Sequence, residues 1–187
     1  MTTALERLLR YVKIDTQSDL HSTSSPTTEK QKDLGRLLVA ELHDLGLNDA
    51  ELDAHGYVYA TLAATTDRDV PVICWCAHMD TSPEAPGAGV QPIVHREYDG
   101  GVIRLPHEGI VLDPAEHPDL RDQVGSAIVT ADGRTLLGAD NKAGIAEIMA
   151  AVEWLVAHPE VAHGAIKILF TPDEEVGRGT AHVNLTR

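Results

Sequence analysis

The sequence predicts an α/β fold with a mixed sheet flanked by helices. Three observations carry that prediction. Two short apolar runs, Val70–Trp75 and Ala165–Phe170, have the length and composition of strands. A longer segment, Lys142–Ala157, repeats Ile145, Ile148, Met149, Val152, Leu155 and Val156 at helical spacing. Strand-like and helix-like stretches alternate along the chain, which is the pattern of α/β architecture.

Taken in order, Leu5, Leu8, Leu9 and Val12 predict a short amphipathic helix over residues 3–13. The Ser- and Thr-rich stretch from Thr16 to Thr28, with Pro26, reads as a loop. Leu34, Leu37, Leu38 and Leu42 then predict a helix from Thr28 to Leu45, stopped by Gly46. Ala50–Asp53 and Tyr57–Leu62 flank His55-Gly56 as a hairpin. The Val70–Trp75 run is apolar enough for a strand buried on both faces of a parallel sheet.

Cys74 and Cys76 alternate onto one face of that strand, where they make poor disulfide partners. They read as small buried core residues of a reducing compartment. Thiolate metal ligation is the minor alternative, because Cys-x-Cys lacks zinc-knuckle spacing. Thr81–Pro118 is long, irregular and rich in Gly and Pro, with a hairpin arm at Gly101–Leu105; such a loop carries function or covers a site. Ile128–Thr130 and Thr135–Leu137 read as strands around the turn Asp132-Gly133. Pro159 ends the Lys142 helix.

The 187 residues are enough to bury one core. Acidic residues outnumber basic ones 29 to 15, a formal charge of −14, which argues against nucleic acid or an anionic membrane as partner. The N-terminus has no signal-peptide apolar core and no stretch is long enough to span a bilayer, so the cytoplasm is the expected location.

Chemistry concentrates at three strand ends. His78 and Asp80 close the first strand. A lone histidine after a strand is more often structural, but a nearby carboxylate is how proteins orient a metal-ligating imidazole. Gly138-Ala139-Asp140-Asn141-Lys142-Ala143-Gly144 leads into the long helix. Asp140 or Asn141 suits a helix N-cap. Capping does not explain the small residues on both sides, which let backbone or a ligand approach closely; the two oxygens of Asp140 also suit a bridge between two cations. Thr171-Pro172-Asp173-Glu174-Glu175-Val176-Gly177-Arg178-Gly179 follows the last strand. Three successive carboxylates suit a solvated turn at a helix N-terminus; near a buried strand end they repel one another and call for a cation. One glutamate can ligate metal while its neighbour takes a proton from water. Each cluster has a bland reading alone, but their joint placement predicts one metal site.

These residues resemble the M20 family of co-catalytic metallopeptidases, specifically its tripeptide-aminopeptidase branch. The resemblance runs in order through His78-Met79-Asp80-Thr81-Ser82-Pro83, Tyr98-Asp99-Gly100-Gly101, Thr135 to Glu147 and Phe170 to Gly177. It implies a zinc-dependent aminopeptidase-like catalytic domain and hydrolysis of the N-terminal peptide bond of tripeptides. It implies two zinc ions, with His78 ligating one, Glu175 the other and Asp140 bridging both. Asp80 would support His78, and Glu174 would be the general base. Asn141 stands where many relatives carry Asp, a position that binds no metal.

Relatives of this kind are about twice as long. The resemblance therefore implies that residues 1–187 form the N-terminal portion of the catalytic domain, apparently incomplete, without the lid or dimerisation domain and the later metal ligands. His182 follows the acidic turn too closely to replace a missing ligand, and the other histidines read as surface or structural residues. Small peptides are the expected substrates. Full-length relatives are often homodimers, whereas this chain is expected to be monomeric, with apolar surface exposed where the absent half would dock. Two alternatives stand beside this reading: a truncated non-catalytic metal-binding module, and another M20 hydrolase such as a dipeptidase or deacylase.

Overall fold

The computed structural model describes residues 1–187. Its helices are α1 (Ala4–Tyr11), α2 (Gln31–Asp44) and α3 (Ala139–Ala157). Its strands are β1 (Glu51–Leu52), β2 (Val58–Leu62), β3 (Ile73–His78), β4 (Ile93–His95), β5 (Ile103–Arg104), β6 (Val111–Leu112), β7 (Ile128–Thr130) and β8 (Ile166–Thr171). Local chemistry sets several boundaries. A capping box starts α1: Thr3 Oγ1 accepts the Glu6 N–H, and the Glu6 carboxylate accepts the Thr3 N–H. Gly46, at φ +91°, terminates α2 in the left-handed region.

The main sheet has the order β1-β2-β8-β3. β1 and β2 pair antiparallel, β2 and β8 antiparallel, and β3 and β8 parallel with His78 opposite Thr171. The sheet is mixed, as expected. Register puts Val58, Ala60, Leu62, Ala77, Ile166, Ile168 and Phe170 on one face. That face is buried under Tyr11 of α1, Leu34, Leu38 and Leu42 of α2, and Ile145, Met149 and Val152 of α3. Gly35 brings α2 close: a β-carbon there would meet Leu52 Cδ1 at 2.8 Å.

All three helices cover the same face, and this overturns two expectations about β3. It is an edge strand, paired only with β8, and not one buried on both faces. Cys74 and Cys76 lie opposite Lys167 and Leu169 on the other face, and both thiols are exposed instead of buried. Val72 and Ile73 are 60% and 49% exposed. Apolar composition makes a strand fit for burial, but only neighbouring elements bury it.

The long segment after β3 forms two small antiparallel ladders, β4 with β7 and β5 with β6. The arm expected at Gly101–Leu105 is β5. The strand expected at Thr135–Leu137 is not formed: Leu136 donates its N–H to Pro86 O, and β7 takes β4 as its partner. No helix is long and apolar enough to cross a membrane.

A buried charge network ties the helices together. Arg7, 4% exposed, pairs with Glu41 of α2 and, at 2.9 Å, with Glu153 of α3. Tyr11 Oη donates to Glu41 Oε2 at 2.6 Å.

Candidate metal centre

The carboxyl ends of the adjacent parallel strands β3 and β8 put His78 beside the turn that follows Thr171. The third contributor is the entry to α3. Gly138 takes φ +79°, and Asp140 and Asn141 depart from helical geometry, so regular helix begins at Lys142. The Asp140–Asn141 peptide is cis. The small residues serve close packing of the chain itself: a β-carbon at Gly138 would lie 3.1 Å from Thr81 Cγ2, and one at Gly144 would strike Asn141 Oδ1.

This folding brings the three predicted ligands together. Donor atoms of His78, Asp140 and Glu175 all lie within 4.8 Å of one another. His78 Nε2 is 2.9 Å from Asp140 Oδ1 and 3.8 Å from Glu174 Oε2. His78 Nδ1 lies 3.1 Å from the Asp80 carbonyl oxygen and 3.4 Å from its Oδ1. A nitrogen donor with two convergent carboxylates, its other ring nitrogen held by an acceptor, is a donor set suited to zinc and related divalent cations. The residues present fit such an ion.

The electrostatics agree. Burial pulls the His78 pKa down, but Asp80, Asp140 and Glu174 outweigh it and raise it to about 9. The constellation therefore favours positive charge at the imidazole. Burial and the neighbouring carboxylates Asp80, Asp140 and Glu174 raise the Glu175 pKa, with His78 opposing them.

Asp80 does more than face His78. It is fully buried, with Oδ1 accepting the Glu174 N–H at 2.9 Å and Oδ2 the Glu175 N–H at 3.0 Å. Asp80 thus orients the histidine through its carbonyl oxygen and the backbone of the glutamate pair through its carboxylate.

The acidic triplet is divided. Glu174 and Glu175 turn toward the cluster, while Asp173 is buried elsewhere, against Thr27 and Gln31. His182 is also outside the cluster: its ring stacks on His55 at 4.1 Å, and its N–H donates to Tyr57 Oη. Sequence reasoning missed Lys142, which is 1% exposed with Nζ donating to Ile14 O at 2.7 Å. Burial lowers its pKa to about 8, against Asp15 and Asp80. A lysine in the first regular turn of a helix opposes the macrodipole, and that anomaly is a usable signal.

No family model matches the chain. Peptidase T of Shouchella clausii is 52% identical over 181 residues, which are 97% of this chain and 44% of that protein. Peptidase T of Geobacillus kaustophilus is 53% identical over 176 residues, 94% of this chain and 43% of that protein. Over the stretch it spans, the chain is closely similar to these peptidase T proteins. It covers less than half the length of these curated peptidase T relatives.

Solved structures agree on the fold. The aminopeptidase PepT from Bacillus cereus superposes with a TM-score of 0.66 at 24% identity, over 97% of this chain and 39% of that one. A tripeptidase from Staphylococcus aureus gives 0.65 at 24% identity, over the same shares. An aminoacylhistidine dipeptidase from Vibrio alginolyticus gives 0.61 at 23% identity, over 96% and 29%. The peptidase T fold is thus shared across the main sheet and the helices that cover it.

Proposed function

We propose that this chain carries the metal-binding and proton-transfer residues of a tripeptide aminopeptidase of the peptidase T kind. The observation that carries the reading is the convergence of His78, Asp140 and Glu175 donor atoms within 4.8 Å, contributed by three separate segments. Residues 1–187 are read as the N-terminal portion of the catalytic domain, working in the cytoplasm on small peptides. His78 would hold one zinc ion, Glu175 a second, and Asp140 both. When bound, the two ions would lower the pKa of the attacking water and polarise the scissile carbonyl.

The chain's own residues do the rest. Asp80 fixes the imidazole of His78 through its carbonyl and carboxylate oxygens, and holds the Glu174–Glu175 backbone. The Glu174 side chain is 58% exposed beside His78, open to substrate. As general base it takes the proton from water at its carboxylate, then delivers it to the amine that leaves. Asp140, 85% exposed, has a second oxygen that would serve the shared role.

One observation favours a second reading. If Asp140 is shared, each ion keeps two protein ligands from this chain, fewer than the three of a catalytic zinc site. This second reading is a module that binds metal without catalysis. Zinc titration and tri-alanine hydrolysis separate the two. Alanine release with zinc, abolished by Glu174→Ala while zinc still binds, supports the aminopeptidase. Zinc bound through His78 with the tripeptide left intact supports the non-catalytic module. Zinc binding that is absent, or unchanged by His78→Ala, sinks both.

A further inference from the structure

Asp173 precedes the metal-site glutamates, yet its side chain takes no part in their cluster. Its backbone is left-handed, at φ +57°, which is uncommon for a residue other than glycine. That turn sends successive carboxylates in different directions. Asp173 is 2% exposed and accepts the Thr27 N–H at 3.0 and 2.9 Å, the Thr27 hydroxyl at 2.5 Å and the Gln31 side-chain amide at 2.7 Å. Gln31 Oε1 in turn accepts the Asp173 N–H at 3.1 Å. Thr27 and Gln31 are both buried. At the far end of the same turn, Arg178 donates its N–H to Asp173 O at 2.9 Å and its guanidinium to Ser22 O at 2.7 Å. The Asp173–Arg178 turn is therefore stapled at both ends to the segment Ser22–Gln31. Between the staples, the Glu174 and Glu175 amides reach Asp80.

We propose that Asp173, Thr27 and Gln31 are positioning residues that aim Glu174 and Glu175 at His78 and Asp140. The proposal rests on the metal-site reading for its purpose, but not for its geometry. The four donor contacts from Thr27 and Gln31 hold the Asp173 charge away from the site. Its left-handed backbone then leaves the next two amides facing the buried Asp80. Losing those donors frees the turn and lets the glutamate pair swing away from the histidine.

The test is amide exchange by NMR on the full chain, comparing wild type with Gln31→Met, Thr27→Val and Thr27→Ser. Gln31→Met and Thr27→Val are expected to speed exchange at Glu174 and Glu175 about tenfold or more, with Ile168 and Phe170 of β8 unchanged; Thr27→Ser is expected to match wild type. The same two damaging variants are expected to weaken cobalt(II) binding by about tenfold and to alter its visible absorption, with Thr27→Ser restoring both. Wild-type exchange at Glu174 and Glu175 in both damaging variants overturns the proposal. So does acceleration spread evenly through β8, or a Thr27→Ser variant as impaired as Thr27→Val. Failure of cobalt to bind the wild-type chain counts against the metal reading alone, because the exchange measurement needs no metal.

Discussion

Asp80 and Glu174, 94 residues apart in sequence, are joined by a 2.9 Å hydrogen bond from the Glu174 N–H to the Asp80 carboxylate. The second oxygen takes the Glu175 N–H, so Asp80 faces donors on both sides. Asp80→Asn keeps the shape but turns one acceptor into a donor, which then opposes an N–H in a buried site. The expected cost is about 1–3 kcal/mol of stability, with zinc affinity falling about 10- to 100-fold. Urea unfolding and calorimetric titration measure the two. Unchanged zinc affinity in the Asp80→Asn variant removes Asp80 from the site.

Gly144→Ala tests the entry to α3. Alanine normally stabilises a helix interior by up to about 1 kcal/mol over glycine. Here its methyl strikes Asn141 Oδ1, with Ala77 Cβ behind it at 3.6 Å. A net loss of about 1–3 kcal/mol is expected, together with weaker metal binding as Asp140 moves with its neighbour. The double variant with Asn141→Ala should recover the stability. If it does not, the collision is not the cause.

Tyr11 predicts a specific alkaline limb. Burial and its bond to Glu41 push its pKa up to about 12 from the ordinary 10, with Arg7 opposing. Between those values the unfolded chain has lost the proton and the folded one keeps it. Stability from this group is therefore complete below pH 10 and falls as pH rises toward 12. The full loss is about 2–3 kcal/mol. The stability difference between wild type and Tyr11→Phe, measured by urea unfolding from pH 9 to 12, should shrink by about that amount. A difference independent of pH would refute the shift.

The open edge of β3 predicts self-association. Val72 and Ile73 expose apolar surface beside unpaired backbone groups, the arrangement that edge-strand lysines protect against. Val72→Lys is expected to reduce both apolar-dye binding and light scattering at high concentration, with little change in stability. Scattering unaffected by the substitution would place the sticky surface elsewhere.

Much of this is legible in the chain itself. The helical period of Leu34, Leu38 and Leu42 locates α2 to within a few residues, and the apolar runs locate β3 and β8. The residues that meet in the candidate cluster are legible too, because His78, Asp140 and Glu175 lie at the ends of elements and carry donor atoms suited to a metal ion. Thr135–Leu137 misleads because its composition suits a strand, but pairing requires a partner, and β7 is already engaged with β4.

The sequence by itself determined the three helices, the main strands β2, β3 and β8, and which side chains carry donor atoms suited to metal, since these follow from local period and chemistry. Only the tertiary structure decided that β3 is an edge with exposed thiols, that Asp173 is buried away from its two glutamate neighbours, and that Asp80 holds their amides. Each of those depends on contacts between residues far apart in the chain. The Thr27 and Gln31 partners of Asp173 lie 146 and 142 residues away, and no local pattern records such a meeting.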